Sequence, residues 1–196
     1  MKPIKIFIIS LILFIPSIIW GNGEYFPDKL FYPERPDLHT LKSDWYYKHL
    51  KVLEEPSIYQ LKSIEERTII RFTWLRTFDQ PISIRLIVNE DESGILYVKM
   101  SNGKGGYEPG TIVINERKDL LKQTVASFIN TIENMNFWNL PSTTEQHGFD
   151  GSQWIFEGLS GGEYHVVERW SPESGAIKNL GLMFLKISGL EDQEIY

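Results

Sequence analysis

The side chains best suited to chemistry are gathered between Gly148 and Pro172, in the run G-F-D-G-S-Q-W-I-F-E-G-L-S-G-G-E-Y-H-V-V-E-R-W-S-P. A carboxylate beside an imidazole holds the ring's tautomer and raises its basicity, so Glu157, His165 and Asp150 are the residues a hydrolase would use for acid–base work. No nucleophile accompanies them at a telling spacing. Ser152, Ser160 and Ser171 fall at predicted turns, and none stands in a G-x-S-x-G setting. His147, Asp150, Glu157 and His165 are the only plausible metal ligands here, and they lack the H-x-x-x-H, C-x-x-C or H-E-x-x-H spacings that fix a zinc ion. The sequence therefore assigns no catalytic residue, no metal and no cofactor.

What these residues can do together depends on the hairpin that carries them. Ser152 to Glu157 and Tyr164 to Trp170 read as two short strands, entered through Asp150-Gly151 and joined by a glycine turn. A two-residue turn at Gly161-Gly162 sets Trp154 opposite Arg169 and Phe156 opposite Val167. A three-residue loop that includes Ser160 sets Glu157 opposite His165 and Gln153 opposite Arg169, gathering four polar groups on one face. The candidate binding surface is accordingly Asp150, Gln153, Trp154, Glu157, His165, Arg169 and Trp170. The plainer account of the same residues is cross-strand pairing on a solvated sheet face.

Other motifs carry less. Gly103-Lys104-Gly105-Gly106 resembles a phosphate cradle, but such loops open a helix, and here Pro109-Gly110 leads into a strand; a hairpin connection fits better. Trp74, Phe78, Trp138, Trp154, Tyr164 and Trp170 serve a core or line a groove. His39 and His49 read as surface or helix-face residues.

The elements that position these groups follow from periodicity. Residues 24–40, rich in proline, form an extended segment anchored by Phe26, Phe31 and Tyr32. Leu41, Trp45, His49 or Leu50, and Leu53 recur at helical steps up to Pro56. Arg67 to Phe78, Ile82 to Asn89 and Ile95 to Met100 alternate as a three-strand meander, and Thr111 to Asn115 adds a fourth strand. Asp119 to Asn134 is an amphipathic helix with Leu121, Val125, Phe128 and Ile132 on one stripe. A last helix is expected from Ser171-Pro172 to Ser188, stopped by Gly189, and residues 191–196 read as a frayed acidic tail. The expectation is an α+β domain over 41–190, with a mainly antiparallel sheet of about six strands, two or three helices on one face, and part of the other face covered by the N-terminal segment.

Composition bounds the setting. Lys2 and Lys5 precede an apolar run from Ile6 to Trp20, followed by Gly21-Asn22-Gly23, the layout of a secretory signal peptide cleaved after Gly21 or Gly23. The run is shorter than the roughly 20 residues that cross a bilayer as a helix, so no stable span is expected once it is removed. Removing residues 1–23 takes two lysines and no acid, moving the formal net charge from −6 to −8. A surface this acidic argues against nucleic acid as a partner. With no cysteine in the chain, disulfides are excluded and the core alone must hold an exported domain.

The segments F-T-W-L-R-T-F-D-Q-P (72–81), G-G-Y-E-P-G (105–110), F-W-N-L-P (137–141), D-G-S-Q-W-I-F-E-G (150–158) and Y-H-V-V-E-R-W-S-P (164–172) resemble those of a family of exported bacterial proteins of unassigned activity. The resemblance covers most of the chain after about residue 65. It implies a single bacterial domain and carries no catalytic residue with it. Together these readings point to an exported, non-catalytic domain, periplasmic or extracellular, that binds a protein or small ligand in the cell envelope. The alternatives are an envelope hydrolase built on Glu157, His165 and Asp150, and an inhibitor or immunity-type partner of a secreted protein.

Overall fold

The computed structural model describes residues 25–144 and 148–196. The signal-peptide segment and His147 lie outside them. Six antiparallel strands form one sheet in the order β4-β3-β2-β1-β5-β6. Strands β1 (Ile69–Arg76), β2 (Ile82–Val88), β3 (Gly94–Ser101) and β4 (Ile112–Leu120) are a meander, and β5 (Ser152–Ser160) returns beside β1 before turning into β6 (Glu163–Trp170). The helices are α1 (Pro36–Val52), α2 (Ile58–Leu61), α3 (Lys122–Asn134) and α4 (Ala176–Ser188). The architecture is α+β, as the spacing of the strands and helices predicts.

Alternation along each strand sends its two sets of side chains to opposite faces. Ile70, Phe72 and Trp74 of β1, with Ile82, Ile84 and Leu86 of β2 and Trp154 and Phe156 of β5, meet Val125, Phe128 and Ile132 of α3 and Leu180 and Phe184 of α4. Contact is close enough that a Cβ on Gly181 of α4 would stand 2.1 Å from the Trp154 ring. The helix therefore needs glycine in its middle, where propensity alone disfavours it.

The opposite face is covered as well across β1, β2 and β5. Tyr25, Phe26, Phe31, Tyr46 and Leu50 pack with Leu75, Ile155 and Val166, and Ile58 of α2 packs with Ile69, Ile87 and Leu159. Every residue of β1 is buried. The coverage expected in part from the N-terminal segment is completed by α1 and α2, which puts one helix pair on each side. Helix α2 is only four residues long, too short to show a period in the sequence.

Element boundaries shift for identifiable reasons. Helix α1 starts at Pro36, five residues before the apolar steps begin, because proline fits the first helical turn without losing a bond. Strand β4 runs on through Glu116-Arg117-Lys118-Asp119, whose charge hides a strand that pairs with β3 as far as Leu120 opposite Gly94. The helix expected from Asp119 therefore begins at Lys122. Ser171 does not cap α4: its hydroxyl accepts from the Ser152 amide at 2.8 Å, closing the β5–β6 end, and α4 starts after Gly175. Gly189, at φ +75°, stops α4 as expected. Residues 191–196 are not frayed but fold back, with the Tyr196 hydroxyl donating to Asp79 at 2.6 Å and Ser152 donating to the Tyr196 carbonyl at 2.6 Å.

Candidate binding surface

The β5–β6 turn decides the fate of the polar cluster. Gly161 and Gly162 both have positive φ, +56° and +78°, the conformation of a two-residue primed turn. Trp154 then pairs with Arg169 and Phe156 with Val167, while Gly158, not Glu157, stands opposite His165. This register sends Gln153 and Glu157 to the α1 face and His165 and Arg169 to the α3/α4 side, so the four-residue cluster does not form. On its side, the His165 ring meets the Leu140 carbonyl at 3.0 Å and lies edge-on to Phe137, 5.3 Å between centroids. Arg169 Nη1 donates to the Pro141 carbonyl at 3.0 Å. Trp154 is fully buried, its indole N–H donating to Ser152 Oγ at 2.9 Å. Of the seven, only Asp150 is exposed, and the Trp170 ring lies so near Gly148 and Gly151 that neither has room for a Cβ.

Glu157 belongs to an ionic layer sealed between the sheet and the N-terminal part of the chain. Its Oε2 accepts from Arg71 Nε at 2.7 Å and from Arg71 Nη2, and its Oε1 accepts from the Tyr164 hydroxyl at 2.9 Å. Arg71 Nη1 donates to the Pro56 carbonyl at 2.7 Å. Just past the end of α1, Glu55 takes Arg85 Nε at 2.7 Å and Lys99 Nζ at 3.1 Å, with Arg71 Nη1 3.4 Å away. Glu55, Arg71 and Glu157 have no exposed surface. Burial alone would raise the Glu55 pKa, but Arg85, Arg71 and Lys99 hold it below the usual carboxylate value. Burial likewise works against the Arg71 charge, and Glu157, Tyr25 and Glu55 overcome it. Burial pushes the Tyr25 and Tyr164 hydroxyls up, keeping both as neutral donors. The layer is a set of satisfied charges, closed to any substrate.

An open site lies on the other side of α1. Leu38, Leu41, Lys42 and Trp45 recur at steps of three and four residues and form a second stripe, turned away from the buried Tyr46, His49, Leu50 and Leu53. With Tyr32 and Gly106 they line a groove of about 350 Å³. The Trp45 indole N–H donates to the Gly105 carbonyl at 2.8 Å, fixing the ring against the glycine-rich loop. That loop lies on the sheet end, where the Gly105 amide donates to the Asp79 carbonyl at 2.9 Å and a Cβ on Gly105 would strike the Arg76 backbone. The glycines thus serve close backbone approach. Under the groove, Lys42 Nζ bonds Glu168 and sits 5.1 Å above the Tyr32 ring, while the Tyr46 hydroxyl donates to the other Glu168 oxygen. A second hollow of about 290 Å³ adjoins at Tyr32, lined by Pro33, Arg35, Thr143 and Thr144 among others.

Exposed apolar side chains mark the groove's rim. Leu41 is 68% exposed, and past Gly106 the rings of Tyr107 and Phe78, 55% and 48% exposed, lie 6.3 Å apart. Sequence periodicity grouped Leu41 and Trp45 with the core stripe, since α1 is apolar on two sides and spacing alone does not say which one is buried. His39 and His49, read as surface or helix-face residues, both lie on α1 and are buried. Among the described residues no group of three or more His, Asp or Glu side chains could hold a metal ion.

Comparison with the known protein families gives no match, and no curated protein matches the chain.

Proposed function

We propose that the protein is an exported, non-catalytic domain that captures an apolar segment of an envelope protein in the groove between α1 and the glycine-rich loop. The observation that carries this reading is the exposed Leu41 and half-buried Trp45 beside Tyr32 and Gly106, an apolar hollow with one lysine at its base. Hollows lined by rigid aromatics with few polar groups are where proteins take up apolar ligands and anchor side chains. Export rests on Lys2, Lys5 and the apolar run before Gly21-Asn22-Gly23. Among the described residues no helix is long and apolar enough to cross a membrane. The resemblance to exported bacterial proteins belongs to the same reading.

The hydrolase alternative would need Glu157 released from Arg71 and Tyr164 and brought through the sheet to His165, so the geometry favours binding. An inhibitor or immunity-type role would use the same groove with a secreted partner. The test is pull-down from envelope extract with wild type, Leu41→Asp and Arg169→Ala. A partner kept by Arg169→Ala and lost with Leu41→Asp supports the groove. Loss with Arg169→Ala alone moves the surface to β6, and capture of no specific partner by wild type overturns the proposal.

A further inference from the structure

The sheet's two edges are treated differently. At the β6 edge the chain after α3 lies alongside, with the Glu168 amide donating to the Ser142 carbonyl at 2.7 Å and Arg169 held on the Pro141 carbonyl. At the β4 edge no further strand follows among the described residues, and the residues alternate between half-buried and exposed, except that Asn115, Glu116 and Arg117 are all exposed. An open edge offers unpaired backbone donors and acceptors, which proteins ordinarily blunt with charged side chains, proline, bulges or a cover. Here the strand carries Glu116, Arg117, Lys118 and Asp119, which sum to zero, and it is flanked by Val113 and Leu121, 50% and 79% exposed.

We infer that β4 pairs antiparallel with β4 of a second copy of this chain, about a two-fold axis at Arg117, joining the two sheets into one. A two-fold pair requires opposing residues to share a face, so the axis passes through a residue rather than between two. Centring it on Glu116 sets Ile114 against Lys118, and centring it on Lys118 sets Glu116 against Leu120. Centring it on Arg117 sets Glu116 against Lys118, Ile114 against Leu120 and Asn115 against Asp119, each twice. Glu116 and Lys118 then face opposite charges, and Ile114 and Leu120 face apolar groups, the pairings that stabilise cross-strand contacts.

The one like pair, Arg117 with its symmetry mate, is flanked diagonally by both Asp119 carboxylates. Within one chain Arg117 Nη2 already lies 2.8 Å from Asp119 Oδ1, and Lys118 Nζ lies 3.2 Å from Glu116 Oε2. The charges that would cross the axis are thus neutralised along the strand before association, so pairing desolvates ion pairs rather than lone charges. This surface, at the far edge from β6, shares no residue with the α1 groove, although the glycine-rich loop of that groove leads into β4, and it is tested by different substitutions.

The test is sedimentation velocity of the purified protein over a concentration series up to about 100 µM, a range suited to an interface of modest size. Wild type should show a reversible dimer. Glu116→Lys and Lys118→Glu should each raise Kd about tenfold by setting like charges opposite one another. The double exchange Glu116→Lys/Lys118→Glu should restore the wild-type value. Far-ultraviolet circular dichroism of the variants checks that the monomer is folded, and the exposed Glu116 supplies a variant that leaves the Lys118 bond to the Ser188 carbonyl in place. A protein that stays monomeric throughout, a dimer indifferent to both reversals, or a double exchange that fails to restore pairing would each overturn the inference.

Discussion

His49 is buried on α1, and neither ring nitrogen has a hydrogen-bond partner. Burial, and after it the Lys48 charge, lowers its pKa from 6.5 to about 4, against an opposing effect of the Gly105 backbone. Above pH 6.5 the ring is neutral in both states and contributes nothing to pH dependence. Between 6.5 and 4 the unfolded chain takes a proton that the folded one refuses, so stability falls on acidification, by about 1.4 kcal/mol per unit and roughly 3 kcal/mol in all. Glu55 acts in the same direction lower down: its depressed pKa stabilises the fold above the ordinary carboxylate value, and that contribution is lost as pH falls through the folded value. His49→Leu should abolish the first loss and keep the second. Urea midpoints at pH 7, 5.5 and 4.5 check this, and an unchanged slope between pH 6.5 and 4.5 would exclude His49 as its source.

At the scale of elements, α4 and β5 are fitted to one another through Gly181. In an exposed helix, Gly→Ala gains about 1 kcal/mol. Here the added methyl meets Trp154 Cζ3 at 2.1 Å and Cε3 at 2.5 Å, on a ring held by Ser152 and packed against Phe72. Gly181→Ala should therefore destabilise by about 1–3 kcal/mol, the reverse of its propensity, read from the thermal midpoint. Part of this fit was legible in the chain. The alternation of Ile70, Phe72 and Trp74, the stripe Val125, Phe128 and Ile132, and the stop at Gly189 all name their elements. What was not legible is which partner covers the polar side of β1. A strand's own alternation does not reveal that Glu55 and Tyr25, distant in sequence, lie against Arg71. Whether Glu157 meets His165 stayed open for a related reason, since one residue more or less in the turn decides which set of β6 side chains shares its face, and Ser160-Gly161-Gly162 allowed both. The charged half of β4 was hidden because an edge strand has little to bury.

At the scale of the whole molecule, the sheet is closed on its second side by the N-terminal part of the chain. The Tyr25 hydroxyl donates to the Pro56 carbonyl at 2.7 Å, Ser57 donates to the Tyr25 carbonyl at 2.7 Å, and Phe26 and Phe31 are buried against Tyr46. Each such aromatic contributes about 1.5–3 kcal/mol by burial, so the three together rival the 5–15 kcal/mol that holds a typical domain. Signal-peptide cleavage after Gly21 or Gly23 would keep all three. A chain beginning at Pro36 should lose cooperative unfolding and near-ultraviolet dichroism while keeping much of its secondary structure; a sharp, near-wild-type transition would contradict this.

The glycine corner between β5 and β6 also governs how the molecule tolerates changes in length. Inserting or deleting a single residue there would invert β6, carrying Glu168 out of reach of Lys42 and Tyr46 and presenting Val167 to them instead. Two added residues would preserve strand parity and extend only the loop. The hairpin therefore counts in twos, and viable descendants of this chain are confined to even steps at that corner.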